Sequence, residues 1–434
     1  MSTRFRNAFL MAFLAACIAA PASAGDWPQW GGPQRNFTAD CQGLADKWPE
    51  EGPKTLWSVK IGDGYAAVLV DGDSLYTMNR EGDQEAIVCL SAADGSQRWR
   101  YEYEAPFIAE KMQMEFGPGP HATPLVAGDR LFGVGVTGKF HCFDKRTGKV
   151  LWSHDFIEEY GAEPMGRGYS SSPLAYKDTV IVPVGGKEDG QTIFAFKQDD
   201  GTVVFSGGNF DVSHSSPIVV NVDGQDQLLC FLAGPKGASA DAGPSTKPSG
   251  EIVGLDPTSG AVLWQYEHPA QFGANITTPL WVGDNRVFIT SAYNGGSRLL
   301  KLSRDAGGKT SVKELWHTRK VQGHHSTAVL QDGIIYTSSG SFGPAFVAAI
   351  EADSGEILWR KRGYAKANCL LADGKLILLD QDGKLVLARP TRADLEILSE
   401  CQPLKSVAWT VPTLAGDRLY VRDRATLMAM DVSG

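Results

Sequence analysis

What the 434-residue sequence lacks narrows its chemistry first. Its seven cysteines include no CxxC and no adjacent pair, so no zinc-ligand spacing and no vicinal disulfide is written into the chain. GxSxG, HExxH and P-loop motifs are missing, which removes three common signatures of hydrolytic and phosphate chemistry. Histidine is scarce, at eight residues. Positive charge is short as well: 41 Lys and Arg face 50 Asp and Glu. The formal charge of −9 argues against nucleic acid or an anionic membrane surface as a general partner. With 43% hydrophobic and 21% charged residues, the chain is too apolar for disorder and too charged for a polytopic membrane protein.

The one long apolar stretch lies at the N-terminus, where Arg4 and Arg6 precede the run Ala8 to Ala20 and the small residues Ala22-Ser23-Ala24. Basic region, short apolar core and small-x-small site together read as a secretory signal over residues 1–24, cleaved after Ala24. An export destination in the periplasm or outside the cell follows, without a transmembrane segment. Leu14-Ala15-Ala16-Cys17 also fits a bacterial lipobox, so a lipid anchor on Cys17 is the alternative. Loss of 1–24 removes two basic residues and leaves a net charge of −11. The six remaining cysteines are widely spaced, and Cys89 and Cys142 read as small buried packing residues.

What the chain has in excess is glycine, 49 residues, together with 11 Trp and 12 Tyr. Many turns between half-buried strands would use that composition. Self-similarity gives it an order. One pattern recurs in Leu90–Trp99 (LSAADGSQRW), Phe143–Trp152 (FDKRTGKVLW), Phe196–Phe205 (FKQDDGTVVF), Leu255–Trp264 (LDPTSGAVLW) and Ile350–Trp359 (IEADSGEILW). In each the Gly stands four residues before the final aromatic: Gly95, Gly148, Gly201, Gly260 and Gly355. Trp57 and Trp316 end shorter matches. A second pattern, Ser or Thr before Pro followed by two apolar runs around an Asp/Gly turn, begins at Thr123, Ser172, Ser216 and Thr278, with looser copies at Thr327 and Val411. That is a hairpin signature.

Together the two patterns describe a four-stranded antiparallel meander, repeated. Eight units begin near Tyr65, His121, Ser170, His214, Ile276, His325, Lys366 and Trp409, at about 51 residues each. The eighth stops after three strands, and Lys54-Thr-Leu-Trp57 supplies a fourth from the other end of the chain. The predicted fold is all-β: an eight-bladed β-propeller over residues 54–434, closed by an N-terminal strand that completes the last blade, with 25–53 as an N-terminal extension. Trp57, Trp99, Trp152, Trp264, Trp316 and Trp359 are expected at the seams between blades, where Gly permits close approach to an indole.

The LDxxTGxxLW ending resembles the repeat of the pyrroloquinoline-quinone (PQQ)-like β-propellers. The opening Asp26-Trp27-Pro-Gln-Trp30-Gly-Gly-Pro is similar to the start of exported bacterial members of that group. The resemblance covers essentially the whole mature chain. It implies relatives of two kinds, quinoprotein alcohol dehydrogenases and the propeller lipoprotein that helps assemble outer-membrane proteins.

Propellers carry function on loops at the mouth of the central channel. The unit-opening residues Tyr65, His121, Ser170, His214, Ile276, His325, Lys366 and Trp409 form the candidate ring, flanked by Glu115, Arg167, Asp211, Lys320, His324, Arg362 and Lys405. Among them Tyr65, His121, Arg167, Ser170, His214, His325, Lys366 and Trp409 are the candidate ligand-binding set. Histidines on blades two, four and six suggest a metal, but blades two and six face each other across an open channel, so no metal site is expected. PQQ with calcium is a possibility that the resemblance raises: Trp409 as an aromatic plate, Arg167 and Lys366 for the carboxylates. Against it, the chain is shorter than quinoprotein alcohol dehydrogenases and lacks their Cys-Cys pair, and no acidic pair aligns with their calcium ligands and base. Gly133-Val-Gly135-Val-Thr-Gly138 matches GxGxxG but leads into a strand, which excludes a dinucleotide fold. No catalytic residues are assigned. The sequence therefore favours a monomeric, exported, non-catalytic propeller that binds a protein or glycan partner in the cell envelope; the alternative is a PQQ-dependent oxidoreductase.

Overall fold

A computed structural model describes residues 25–107, 116–163, 166–237, 248–341 and 343–434. The proposed signal segment with Cys17, the residue Glu115 and most of the Gly/Pro/Ser-rich stretch 234–250 lie outside these residues.

Eight four-stranded antiparallel sheets follow one another around a ring. Blade 1 is built from Leu69–Asp71, Ser74–Glu81, Gln84–Ser91 and Gln97–Glu104. Blades 2 to 7 repeat that order, with innermost strands at Leu125–Ala127, Leu174–Tyr176, Ile218–Val222, Leu280–Gly283, Ala328–Gln331 and Asn368–Ala372. Blade 8 takes Thr413–Ala415, Arg418–Arg422 and Thr426–Asp431 from the C-terminus and Lys54–Lys60 from the N-terminus, the last pair antiparallel with Trp57 opposite Ala429. The ring therefore closes as the repeat count predicts. Its core is a succession of apolar clusters, each sandwiched between neighbouring sheets. Middle strands are buried on both faces, whereas outermost strands alternate and leave Leu56, Leu151, Val204 and Val262 exposed.

At the outer radius, the repeat turns of blades 1, 2, 3, 4 and 6 lock each of these to the blade before it. A Cβ on Gly95 would stand 2.7 Å from the Trp57 ring, on Gly148 2.6 Å from Trp99, on Gly201 2.8 Å from Trp152 and on Gly355 2.5 Å from Trp316. Each indole N–H donates to a carbonyl in the same turn: Trp57 to Ala92, Trp99 to Lys145, Trp152 to Gln198 and Trp316 to Ala352. The glycine thus serves the aromatic of the preceding blade, not that of its own repeat. Trp264 departs from the rule, because blade 5 has no matching turn; its N–H donates instead to Gln227 within blade 4, at 2.7 Å. Cys89 and Cys142 face Trp99 and Trp152 across their own sheets, in the slot held by Ala195, Gly254 and Ala349 elsewhere. A small residue there leaves room for the ring, as a packing role requires.

At the inner radius a second set of locks uses the Ser/Thr before each innermost strand. Ala67 N donates to Thr123 Oγ1, Thr123 N to Ser172 Oγ and Ser172 N to Ser216 Oγ, all at 2.9–3.0 Å. Cys369 N donates to Thr327 Oγ1, and the Thr413 hydroxyl donates to Val68 O. The residue type first read as part of a hairpin signature is thus a latch between blades.

The stretch 25–53 crosses the end of the channel opposite the loops that lead into the innermost strands. Trp27 bridges Val70 of blade 1, Pro28 O accepts from Val126 of blade 2, and Trp30 Nε1 donates to Thr278 beside blade 5. Arg35 is buried on this path, donating to Pro173 O at 3.1 Å and Pro217 O at 3.0 Å. Thr38–Ala39 then adds a parallel strand to the innermost strand of blade 7.

Gly148 and Gly128 both have positive φ, 71° and 58°, but only a Cβ on Gly148 would strike a ring; Gly128 has nothing within 4 Å. Gly148→Ala is expected to lower the unfolding free energy by about 2–4 kcal/mol and Gly128→Ala by about 1–2 kcal/mol, since overpacking adds to left-handed strain. Urea denaturation measures both, and equal losses would remove the seam contact from the argument.

Candidate functional site

All eight ring-opening residues lie in the loops just before the innermost strands, one per blade. Their side chains reach farther across the axis than an open channel would allow. Tyr65 stacks on His121 at 5.6 Å and on Trp409 at 5.1 Å. Trp409 also stacks on Phe116 at 4.9 Å and meets His325 of blade 6 at 4.9 Å. The Tyr65 hydroxyl donates to Phe116 O. On the other side, Ser170 Oγ and His214 Nδ1 are 2.9 Å apart, and Tyr293 Oη lies 2.6 Å from His324 Nε2. Ile276 makes no polar contact of this kind.

Arg167 projects among these groups. Its guanidinium stands 5.8 Å from the Phe116 ring centre, and its charge reaches His121, His214, His324, Tyr65, Tyr293 and Lys366. Among the described residues, neither Arg167 nor Lys366 has a carboxylate partner. Of the other predicted flanking residues, Asp211 accepts from Gly237 N, while Lys320, Arg362 and Lys405 are exposed away from the stacked rings. Lys366 is held in the left-handed region with φ 45°, unusual for a side chain of its size, which aims it from the start of blade 7.

Burial with little compensation governs the protonation of the mouth. His121 is held down to about 3, first by burial and then by His214 and Arg167. His214 falls to about 4 through burial and Arg167, and His324 to about 3 through burial, Lys366, Arg167 and His214. His325 is likewise pushed well below its ordinary value by burial, His324 and Lys366. The histidines are therefore neutral at physiological pH, and Arg167 carries the positive charge. Several donors and acceptors face no partner: Arg167 Nη1, His121 Nε2, both ring nitrogens of His325, His324 Nδ1 and Trp409 Nε1. Buried polar groups without partners are costly in a folded protein, and at a loop-built mouth they mark where a ligand would bond.

Among the described residues, the carboxylates Asp63 and Asp423 near the mouth are committed elsewhere. Asp63 pairs with Arg424 at 2.6 Å, and Asp423 accepts from the backbone of Lys405, Ser406, Ala425 and Thr426. Among the described residues no group of three or more His, Cys, Asp or Glu is placed to hold a metal ion. The channel floor was not foreseen: Trp30 and Arg35 close it, with Arg35 bonding three residues beyond Ser170 and His214 along the chain. That separation corresponds to ~10 Å of extended strand. Phe116 and Tyr293 were missed as well, because neither stands at the repeat position that flagged the others.

Known proteins that resemble this chain include an assembly factor and dehydrogenases. A family model described as outer membrane protein assembly factor BamB matches residues 109–361. BamB from Moraxella catarrhalis superposes with a TM-score of 0.58 at 17% identity, covering 87% of this chain and 99% of that one. A europium-containing methanol dehydrogenase gives 0.67 at 14% identity, covering 92% and 89%. A quinohemoprotein alcohol dehydrogenase from Comamonas testosteroni gives 0.64 at 14% identity, covering 96% and 82%. No curated protein sequence matches the chain. At such identities the structural likeness establishes the propeller fold alone.

The depressed histidines give the mouth a pH signature. The unfolded chain protonates them near pH 6.5, the folded one only near 3–4, so acidification favours unfolding. Their contribution to stability is complete above about pH 7 and is lost as pH falls from about 6.5 towards 4. His214→Gln, which keeps a partner for Ser170, should flatten this decline when urea unfolding is compared at about pH 7.5 and pH 5. An unchanged slope would mean that His214 is not buried neutral.

Proposed function

Because the chain belongs to the family described as outer membrane protein assembly factor BamB, we propose that it is an exported, non-catalytic binding propeller whose channel mouth engages a partner in the cell envelope. The observation that carries this reading is the mouth itself: orphaned donors on Arg167, His121, His325 and Trp409, with no free carboxylate beside them among the described residues. Such a surface offers donors to a partner; its Ser170–His214 and Tyr293–His324 contacts have no carboxylate behind them among the described residues. The signal-like segment 1–24 supports export. Among the described residues no helix is long and apolar enough to cross a membrane. A protein or glycan partner fits a site built from loops on a rigid ring.

A second reading, a PQQ-dependent oxidoreductase, draws on the dehydrogenase-like fold and on Arg167 and Lys366, which suit the carboxylates of a quinone. Two features of the mouth fit it poorly. The Trp409 indole is already stacked on Phe116 and Tyr65, so much of the surface a planar cofactor would use is occupied. The metal that accompanies the quinone finds no cluster of ligands among the described residues. No catalytic step is derived from that cofactor here.

Mature protein incubated with PQQ and calcium, or with PQQ and a lanthanide, is expected to show no bound quinone absorbance after desalting and no dye-linked alcohol oxidation. Turnover that disappears in Trp409→Ala would overturn the binding-module reading. Mass spectrometry of the exported protein should find Gly25 as the first residue; an acylated Cys17 would replace free export with tethering.

A further inference from the structure

The uncompensated charge of the mouth points to the chemistry of what it holds. Arg167 and Lys366 each lie within electrostatic reach of the other, and each weakens the proton affinity of the neighbouring imidazoles. Two like charges in a wall of neutral rings repel, and among the described residues no anion of the protein answers them. The groups around them are donors or neutral imidazoles: Arg167 Nη1, Trp409 Nε1, His121 Nε2 and the two nitrogens of His325, all without a hydrogen-bond partner. The backbone holds Lys366 at φ 45°, a conformation that costs a non-glycine residue energy and persists where surrounding structure enforces it. On the other side of this ring of side chains, Trp30 and Arg35 bond to Thr278, Pro173 and Pro217, just ahead of the innermost strands.

We propose that the channel mouth is a binding site for a compact oxyanion bearing two negative charges, a phosphate group or a short dicarboxylate, held between Arg167 and Lys366 and bonded by the unpartnered donors of His121, His325 and Trp409. The inference rests on the mouth being a binding site, as argued above, and assigns its ligand chemistry. A dianion cancels the repulsion between the two cations and satisfies several orphaned donors at once. A larger planar anion would have to displace Phe116 or Tyr65 from Trp409.

Binding should also draw in protons. His121 faces Arg167, His214 and Arg80; His214 faces Arg167 and Ser170; His324 faces Tyr293, Lys366, Arg167 and His214; His325 faces His324 and Lys366. Tyr65 adds the Asp63–Arg424 pair behind it. Among the described residues, the charges acting on these imidazoles are positive, so an anion placed among them raises imidazole proton affinity and favours His⁺ as a donor.

Isothermal titration of the full mature protein with inorganic phosphate, and separately with malonate, tests this at low salt. The expected result is saturable one-site binding of at least one probe near pH 8, where both are dianions; for malonate, which stays doubly charged on moving to about pH 6.5, binding should tighten with net proton uptake revealed by buffers of different ionisation enthalpy. Arg167→Gln and Lys366→Gln should each weaken binding about tenfold or more, the scale of a lost charged hydrogen bond. Arg167→Lys should recover part of it. Lys54→Gln, which removes the same charge from the outermost strand of blade 8, should bind as the parent does. Thermal melts identify any variant that fails to fold, and for such a variant Arg167→Lys carries the comparison. Absence of saturable binding by both probes, or equal weakening in Lys54→Gln, would overturn the oxyanion site while leaving the non-catalytic reading intact. Quinone-dependent turnover with phosphate still bound at the mouth would do the reverse.

Discussion

An indole can lie flat on a neighbouring sheet only where that sheet offers backbone without a Cβ, and this contact is what turns separate meanders into a ring. A single blade buries one face at most and cannot stand alone; its outer strand needs the turn of the next blade as a lid. Gly95, Gly148, Gly201 and Gly355 provide the lid for Trp57, Trp99, Trp152 and Trp316, and the indole N–H finds a carbonyl in the same turn. Apolar contact and hydrogen bond are satisfied by one geometry, so radial position and rotation of each blade are fixed together. Where the turn is absent, as after blade 4, the indole stays in place but bonds to Gln227 of its own sheet. Trp359 likewise meets blade 7 without a glycine, donating to Thr391 O, and the hydroxyl latches at the inner radius join blades independently of the seams.

Fixing the blades at two radii also fixes the mouth. The loop residues just before the innermost strands are anchored by latches such as Thr123 to Ser172 and Thr327 to Cys369. Side chains on those loops are therefore brought together without freedom to rearrange around each other's charge. Among the described residues Arg167 and Lys366 find no carboxylate, because Asp63 is held by Arg424 and Asp423 by four backbone N–H groups. The same rigidity explains why the histidines are neutral: they are enclosed among aromatic rings with positive neighbours, and protonation would add charge where none is balanced.

The parts of this arrangement that could be read from the sequence are those that recur with the repeat. Gly and Trp at fixed separation betrayed the seams, and the offset of the unit-opening residues placed Tyr65, His121, Ser170, His214, Ile276, His325, Lys366 and Trp409 on one rim. Contacts that occur once escaped. Arg35 bonds carbonyls 138 and 182 residues away, and nothing near it in sequence marks it as the floor of a channel. The Ser/Thr-Pro pattern was visible, but its hydroxyl acts on a different blade, which local hairpin reasoning does not reach. Trp264 shares the repeat spelling of the other seam residues and lacks their bond, because the deciding feature is the turn that follows in blade 5. The mouth looked open when its residues were counted around a circle; side-chain length brings His325 of blade 6 against Trp409 of blade 8.

Since propellers of this shape include both an assembly factor and dehydrogenases, the backbone alone does not select a function, and the choice turns on how charge is balanced at the rim. A quinone enzyme needs a free base and metal-binding carboxylates alongside its cations. Among the described residues, Asp63 and Asp423 near the mouth are consumed by structure, while the cations and several donors are left over. An excess of unsatisfied donors beside two unpaired cations is stable only while water or an anion shares the space, because desolvating such groups without partners costs more than the packing of a few rings returns. The same imbalance that weakens the case for catalysis is therefore the feature by which the mouth would discriminate: it favours acceptor-rich, negatively charged groups small enough to leave the Trp409 stack in place.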